Sequence, residues 1–179
     1  MTILIKNGRL INPSENLDKV MDIFVEDGII KEKAESIEKQ ADTVIDAAGC
    51  YVMPGLIDLH VHFRDPGLTY KEDIETGSKA AAKGGFTTVC CMPNTKPVVD
   101  NVETVKYIIE KGEKTGLTNV LPVGAVTKNM AGVEITDVEE LKKAGICAIS
   151  EDGKSVMNSG VYRKAMKNAA KANVPVLAH

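Results

Sequence analysis

Several common signals are missing from this 179-residue sequence, and each absence narrows what the chain can do. No run approaches the roughly 20 apolar residues a membrane span needs. The N-terminus, MTILIKNGRL, has no long apolar stretch of the kind a secretory leader carries. Charge of one sign is not in excess: the net charge is −3 with acids and bases interspersed, which argues against a nucleic-acid or anionic-membrane partner. None of the four cysteines, Cys50, Cys90, Cys91 and Cys147, forms a Cys-x-x-Cys pair. Nothing suggests a secretory context for disulfides, and Cys90 and Cys91, adjacent in a strand-like run, must point to opposite faces. All four are therefore expected to be small buried hydrophobes. Histidine is scarce too, with only three in the chain. What remains is a cytoplasmic globular protein, its 44% of hydrophobic residues enough for a core.

Strand-and-turn signals dominate residues 1–53. TILIKNGRLI alternates loosely, DIFVEDGIIKEKA places Asp-Gly between two apolar runs as a hairpin would, and VIDAAGCYVMPG adds strand material. This segment reads as part of a small β-sandwich. From residue 54 onward, short apolar runs alternate with longer amphipathic ones. Strands are predicted over 56–63, 86–92, 119–126, 146–150 and 174–179, and helices over 73–85, 101–116, 136–145 and 159–173. Five strands with four intervening helices are the signature of parallel β/α units. A doubly wound nucleotide fold would want a glycine fingerprint after its first strand, and LIDLHVHF has none. The polar residues fall instead at predicted strand ends, as in a (β/α)8 barrel, whose chemistry sits at its C-terminal face. The fold expected is α/β, about five of the eight strands of a TIM-like barrel.

Residues 56–67 read LIDLHVHFRDPG. Residues two apart in a strand share a face, so Asp58, His60, His62 and Arg64 are expected on the inner side, with Leu59, Val61 and Phe63 facing the helices. Two imidazoles so placed can converge on one ion. His179, the last histidine, also ends a predicted strand, and this shared placement favours a metal site, with zinc the natural ion for nitrogen and oxygen donors. Asp152, in ISEDGKS, follows the fourth strand as a further ligand, a bridge between two metals, or an ordinary Asp-Gly turn. In MPNTKPVVDN, Asn94 is either a turn residue or a donor to a substrate carboxylate, opposite the fork of Arg64. Position alone thus points to a metal-dependent hydrolase acting on an anionic small molecule.

GLIDLHVHFRDPG (55–67), YKEDIETGSKAAAKGGFTTVCCMPNTKPVVDN (70–101) and SEDGKSVMNSG (150–160) resemble the bacterial type I dihydroorotases of the amidohydrolase superfamily. The resemblance implies interconversion of N-carbamoyl-L-aspartate and L-dihydroorotate in pyrimidine biosynthesis, with one or two Zn2+ ions. It makes His60 and His62 ligands of a first zinc, His179 a ligand of a second, Asp152 the strand-four catalytic carboxylate and metal ligand, and Arg64 and Asn94 the holders of the substrate carboxylate. Lys154 stands two residues past the place where many relatives carry a bridging carboxylated lysine and is not assigned that role. RDPG replaces the family's commoner REPG. The resemblance also implies an N-terminal fragment: further ligands, the general base and three strands would lie beyond His179, so that the 179 residues alone would be inactive. Allantoinase, dihydropyrimidinase and a non-catalytic scaffold for aspartate carbamoyltransferase are the competing readings. Association with that enzyme is a possible partnership in any case, and an open sheet edge favours a homo-oligomer.

Overall fold

The structure is a computed structural model that describes residues 1–179. It divides into two compact units, Met1–Pro54 and Gly55–His179.

In the first unit β1 (Thr2–Asn12) is central to a five-stranded sheet. It pairs antiparallel with β2 (Leu17–Glu26), which pairs with β3 (Ile29–Ala34) across the Asp27-Gly28 turn expected from the sequence. On its other edge β1 pairs in parallel with β4 (Thr43–Asp46) and then β5 (Tyr51–Val52). Leu4, Phe24 and Ile37 form a small core. Between Ile5 and Gly8 the β1–β2 register shifts, and Asn7 adopts a left-handed φ of 62°. The buried Asp22 carboxylate meets this bulge, accepting from the Asn7 N–H at 2.9 Å and from the Ile37 N–H at 3.0 Å. Cys50 is exposed in the turn before β5, where its carbonyl rather than its side chain is engaged, accepting from the Arg9 N–H. The expectation of four buried cysteines therefore fails there, and Cys147 is only half-buried.

The second unit is a run of parallel β/α units. β6 (Leu56–Val61), β7 (Phe86–Cys91), β8 (Asn119–Ala125) and β9 (Ala148–Ser150) form a parallel sheet in sequence order. They alternate with α1 (Ile74–Lys83), α2 (Val102–Thr115), α3 (Val138–Ala144) and α4 (Ser159–Lys171). Each helix starts where an Asp or Asn side chain caps its first turn: Asp73, Asn101, Asp137 and Asn158. One sheet face packs on the helices through Val89, Cys91, Ile108, Leu141, Ile149 and their neighbours. The other face carries Cys90, Met92, Val123 and Ala148, so the adjacent cysteines do part to opposite sides. This is a partial (β/α)8 barrel.

Two details depart from simple strand alternation. The last predicted strand is reduced to a bridge: Val176 pairs with Ile149, supported by Ile149 N–H to Pro175 O and Leu177 N–H to Ile149 O. On β6 the outer face is only partly covered. Phe63 is buried against Gly77 of α1, where an added Cβ would lie 2.3 Å from its ring, but Ile57 and Leu59 are 61% and 58% exposed. β6 is the sheet's end strand and pairs only with β7, so nothing in the unit covers these two side chains.

Burial opposes ionisation of Asp22, but the Asn7 and Ile37 N–H donors and Lys6 outweigh it and hold its pKa below the ordinary value. A depressed folded pKa contributes stability above the unfolded value of about 3.9 that is lost as pH falls through the folded one. Asp22→Asn should therefore lower the melting temperature at neutral pH, with the gap to wild type closing below about pH 4. A gap constant down to about pH 2 in thermal melts would contradict this.

Candidate metal centre

Three chain segments far apart in sequence bring their polar ends together at the C-terminal edge of the parallel sheet. β6 delivers His60 and His62, whose Nε2 atoms lie 3.3 Å apart. The turn after β9 delivers Asp152, whose Gly153 neighbour takes a left-handed φ of 73°. The donor atoms of His60, His62 and Asp152 all lie within 4.8 Å of one another, a spacing that suits a single cation. Asp152 Oδ1 is 3.4 Å from His60 Nε2, and Oδ2 is 3.4 Å from His62 Nε2. His179 Nδ1 is 3.5 Å from Oδ1, and its ring centroid is 5.1 Å from that of His60. The segment ending in His179 is tied to β9 by Ser150, whose hydroxyl donates to Leu177 O at 2.8 Å.

Burial is uneven across this group. The Asp152 side chain is 3% exposed, whereas those of His60, His62 and His179 are 36%, 31% and 58% exposed. Burial pushes the His62 pKa down, and the positive charge of Arg64 adds to the effect, against smaller opposing contributions from Asp152 and Asn94. Burial and Arg64 both favour the neutral imidazole, the form that donates a lone pair to a metal.

Asn94 is more engaged than a turn residue. The β6–β7 pairing continues past β7 through Met92 N–H to Val61 O, which brings Asn94 alongside His62. Its Oδ1 lies 3.0 Å from His62 Nδ1, and its Nδ2 donates to Asp152 Oδ2 at 2.5 Å. A proton on His62 Nδ1 satisfies the first contact and leaves Nε2 free to face the cluster. Bonds of this type from outside a ligand set orient the ligands, and one Nδ2 proton is still free for a bound molecule.

Arg64 does not reach the site by strand alternation, since β6 ends at Val61 and Arg64 adopts a left-handed φ of 57°. Its Nη1 lies 3.5 Å from Asn94 O, at the edge of the cluster. Asp58, expected on the same face, instead accepts from the His60 N–H at 3.0 Å and does not join the group. Glu151, which reads in sequence as one more acid beside Asp152, is buried and accepts from the Thr127 N–H at 3.0 Å and from the Thr127 hydroxyl. It anchors the Asp152 turn to the loop after β8. Adjacent residues of an extended chain point to opposite sides, which sets Glu151 apart from Asp152 but does not identify its partner.

With this geometry in place, comparison with known proteins is decisive. The profile of the Dihydro-orotase-like family matches residues 49–179. The chain belongs to that family. It is 52% identical over 180 residues to a curated dihydroorotase from Geotalea daltonii and 50% identical over 179 residues to one from Aquifex aeolicus. In both cases the match takes in all of this chain and 42% of the relative, so the chain spans less than half the length of the curated dihydroorotases it matches. Among solved structures, the L-hydantoinase (dihydropyrimidinase) of Arthrobacter aurescens superposes with a TM-score of 0.79 at 26% identity, over 99% of this chain and 40% of that one. A D-hydantoinase from a Thermus species gives 0.76 at 30% identity, with the same coverage. No helix of the structure is long and apolar enough to cross a membrane.

If the cluster holds a metal, Asn94→Ala should weaken metal binding by about 10–100-fold, the usual cost of losing a group that orients ligands. Competition against a chromophoric chelator measures it, and unchanged affinity would mean that the two Asn94 bonds do not orient the cluster.

Proposed function

We propose that a polypeptide of its relatives' length carrying this chain is a cytoplasmic zinc-dependent dihydroorotase, interconverting N-carbamoyl-L-aspartate and L-dihydroorotate in pyrimidine biosynthesis. The observation that carries the reading is the position of Arg64 and Asn94 beside the His60–His62–Asp152 cluster. A histidine–carboxylate cluster alone would serve many cyclic amidohydrolases. A guanidinium at its edge suits a ring that bears a carboxylate, as dihydroorotate does and the rings of hydantoin and dihydrouracil do not. The roughly twofold higher identity to curated dihydroorotases than to the hydantoinases favours the same choice.

The nitrogen and oxygen donors present fit zinc. His60, His62 and Asp152 would hold it, and His179 would serve a second ion, with Asp152 presenting Oδ1 toward His60 and His179 and Oδ2 toward His62. When bound, the metal supplies Lewis acidity that lowers the pKa of a water molecule toward about 7 and polarises an amide carbonyl. Arg64 would grip the substrate carboxylate with two parallel N–H donors, and the free Nδ2 proton of Asn94 would add a third. Anchored there, the ring amide is held over the cluster, and the bond-forming step gains the advantage of an intramolecular reaction. The His62 Nδ1 contact to Asn94 links the two halves of the site, so substrate and ligand orientation share one residue. Homo-oligomerisation and association with aspartate carbamoyltransferase belong to the same reading through the family resemblance.

The test is ring opening of L-dihydroorotate by the full-length polypeptide, alongside hydantoin and dihydrouracil. Turnover of dihydroorotate should be abolished by chelation and restored by zinc. Arg64→Met should raise KM about tenfold or more, the scale of a lost charge-assisted hydrogen bond. Preference for a ring lacking the carboxylate, or chelator-resistant turnover, would refute the reading.

A further inference from the structure

Next to Arg64 lies a buried ionic group that the proposed chemistry leaves unused. The Asp65 side chain is fully buried, and all its partners lie outside the metal centre. Its Oδ1 accepts from the Tyr107 hydroxyl at 2.9 Å. Its Oδ2 accepts from the Ile74 N–H at 3.2 Å, at the start of α1, and lies 2.6 Å from Lys111 Nζ on α2. Tyr107 and Lys111, one helical turn apart, are themselves in contact at 3.3 Å. One carboxylate thus ties the turn after β6 to two helices.

That turn is unusual at the residue that matters. Arg64 holds a left-handed φ of 57°, a conformation that a residue with a Cβ adopts only at a steric cost. Such a conformation persists only where its surroundings over-determine it. Two restraints do so here. Asp65 fixes the residue immediately after Arg64 to α1 and α2. On the other side, Lys96 N–H donates to Pro66 O at 3.0 Å, and the backbone of Gly67 lies so close to Lys96 that a Cβ would stand 1.7 Å from Lys96 O. The Asn94–Pro97 loop and the Arg64–Gly67 turn are therefore tied to each other, with the Arg64 guanidinium reaching back toward Asn94 O.

We propose that Asp65, Tyr107 and Lys111 form a positioning unit for Arg64, through which helix α2 sets how tightly the substrate carboxylate is held. The inference rests on the reading of Arg64 as the carboxylate-binding residue. Asp65 touches neither metal ligand nor substrate, so its effect is expected on substrate affinity and not on metal loading. The mere presence of a buried ion pair would not support the idea, because such pairs are often replaceable without loss of stability. Its attachment to a strained, site-facing residue does.

The experiment uses the full-length polypeptide with zinc and compares wild type, Lys111→Met, Tyr107→Phe, Lys111→Arg and Arg64→Met, together with the Arg64→Met/Lys111→Met double variant. Tyr107→Phe removes one oxygen from a partly exposed ring and keeps the test open should Lys111→Met fold poorly. Lys111→Met and Tyr107→Phe should each raise KM for dihydroorotate, Lys111→Met by about tenfold, with kcat within about twofold and zinc content unchanged, the pattern of lost uniform binding. Lys111→Arg should recover most of the wild-type KM. In the Arg64→Met background, Lys111→Met should add little, because its effect runs through Arg64. Wild-type turnover with KM unmoved in both folded variants, or additive effects in the double variant, would overturn the inference alone. A wild-type enzyme that neither binds nor turns over dihydroorotate would overturn the functional reading and this inference with it.

Discussion

The candidate metal centre depends on one buried carboxylate, that of Asp152. Asp152 is nearly fully buried, and a carboxylate removed from water is strongly disfavoured unless it is met by donors or cations. Four groups meet it within 3.5 Å: His60, His62, His179 and the Asn94 amide. They arrive from the ends of β6 and β7 and from the segment bridged to β9, and the parallel sheet is what brings those ends to one edge. A divalent cation at this point would answer the same charge that the imidazoles and amide now surround.

The elements behind the centre are built to keep those ends still. Glu151 locks the Asp152 turn to Thr127, Ser150 ties β9 to the chain before His179, and Asp65 locks the Arg64 turn to α1 and α2. Each restraint is a buried polar side chain: Asp65 and Glu151 stand one residue from Arg64 and Asp152, and Ser150 stands two residues from Asp152. Rigid supports of this kind matter because ligands and substrate-binding groups must be held to a fraction of an ångström. The thiols in the same unit are poorly suited to compete for a metal. Burial, with nearby Cys90, pushes the Cys147 thiol up to about 12, and burial raises that of Cys91 as well.

Much of this was legible in the residues, and the parts that were not share a cause. The alternation of apolar runs and capped amphipathic helices located the four α-helices and the four paired strands of the second unit to within a few residues, because each signal is local. The His-x-His spacing likewise put two imidazoles on one face, and the family resemblance rests on motifs that surround them. Strand periodicity, however, says nothing about where a strand stops. It carried Asp58 and Arg64 along with the histidines, whereas Asp58 turns back to its own backbone and Arg64 arrives through a left-handed turn. Nor does it report lateral coverage, so Leu59, expected to face the helices, is exposed on an end strand. The engagement of Asn94 and Glu151, and of Asp65 with Tyr107 and Lys111, depends on partners 24 to 58 positions away, a separation at which local sequence identifies no partner.

The most direct measurement is X-ray absorption at the zinc edge of the zinc-loaded protein. A centre built on His60, His62 and Asp152 predicts a first shell of nitrogen and oxygen only, near 2.0–2.2 Å, with the outer-shell scattering of at least two imidazoles. A sulfur shell near 2.3 Å, or no imidazole contribution, would place the ion elsewhere and contradict the assignment of this cluster as the metal centre.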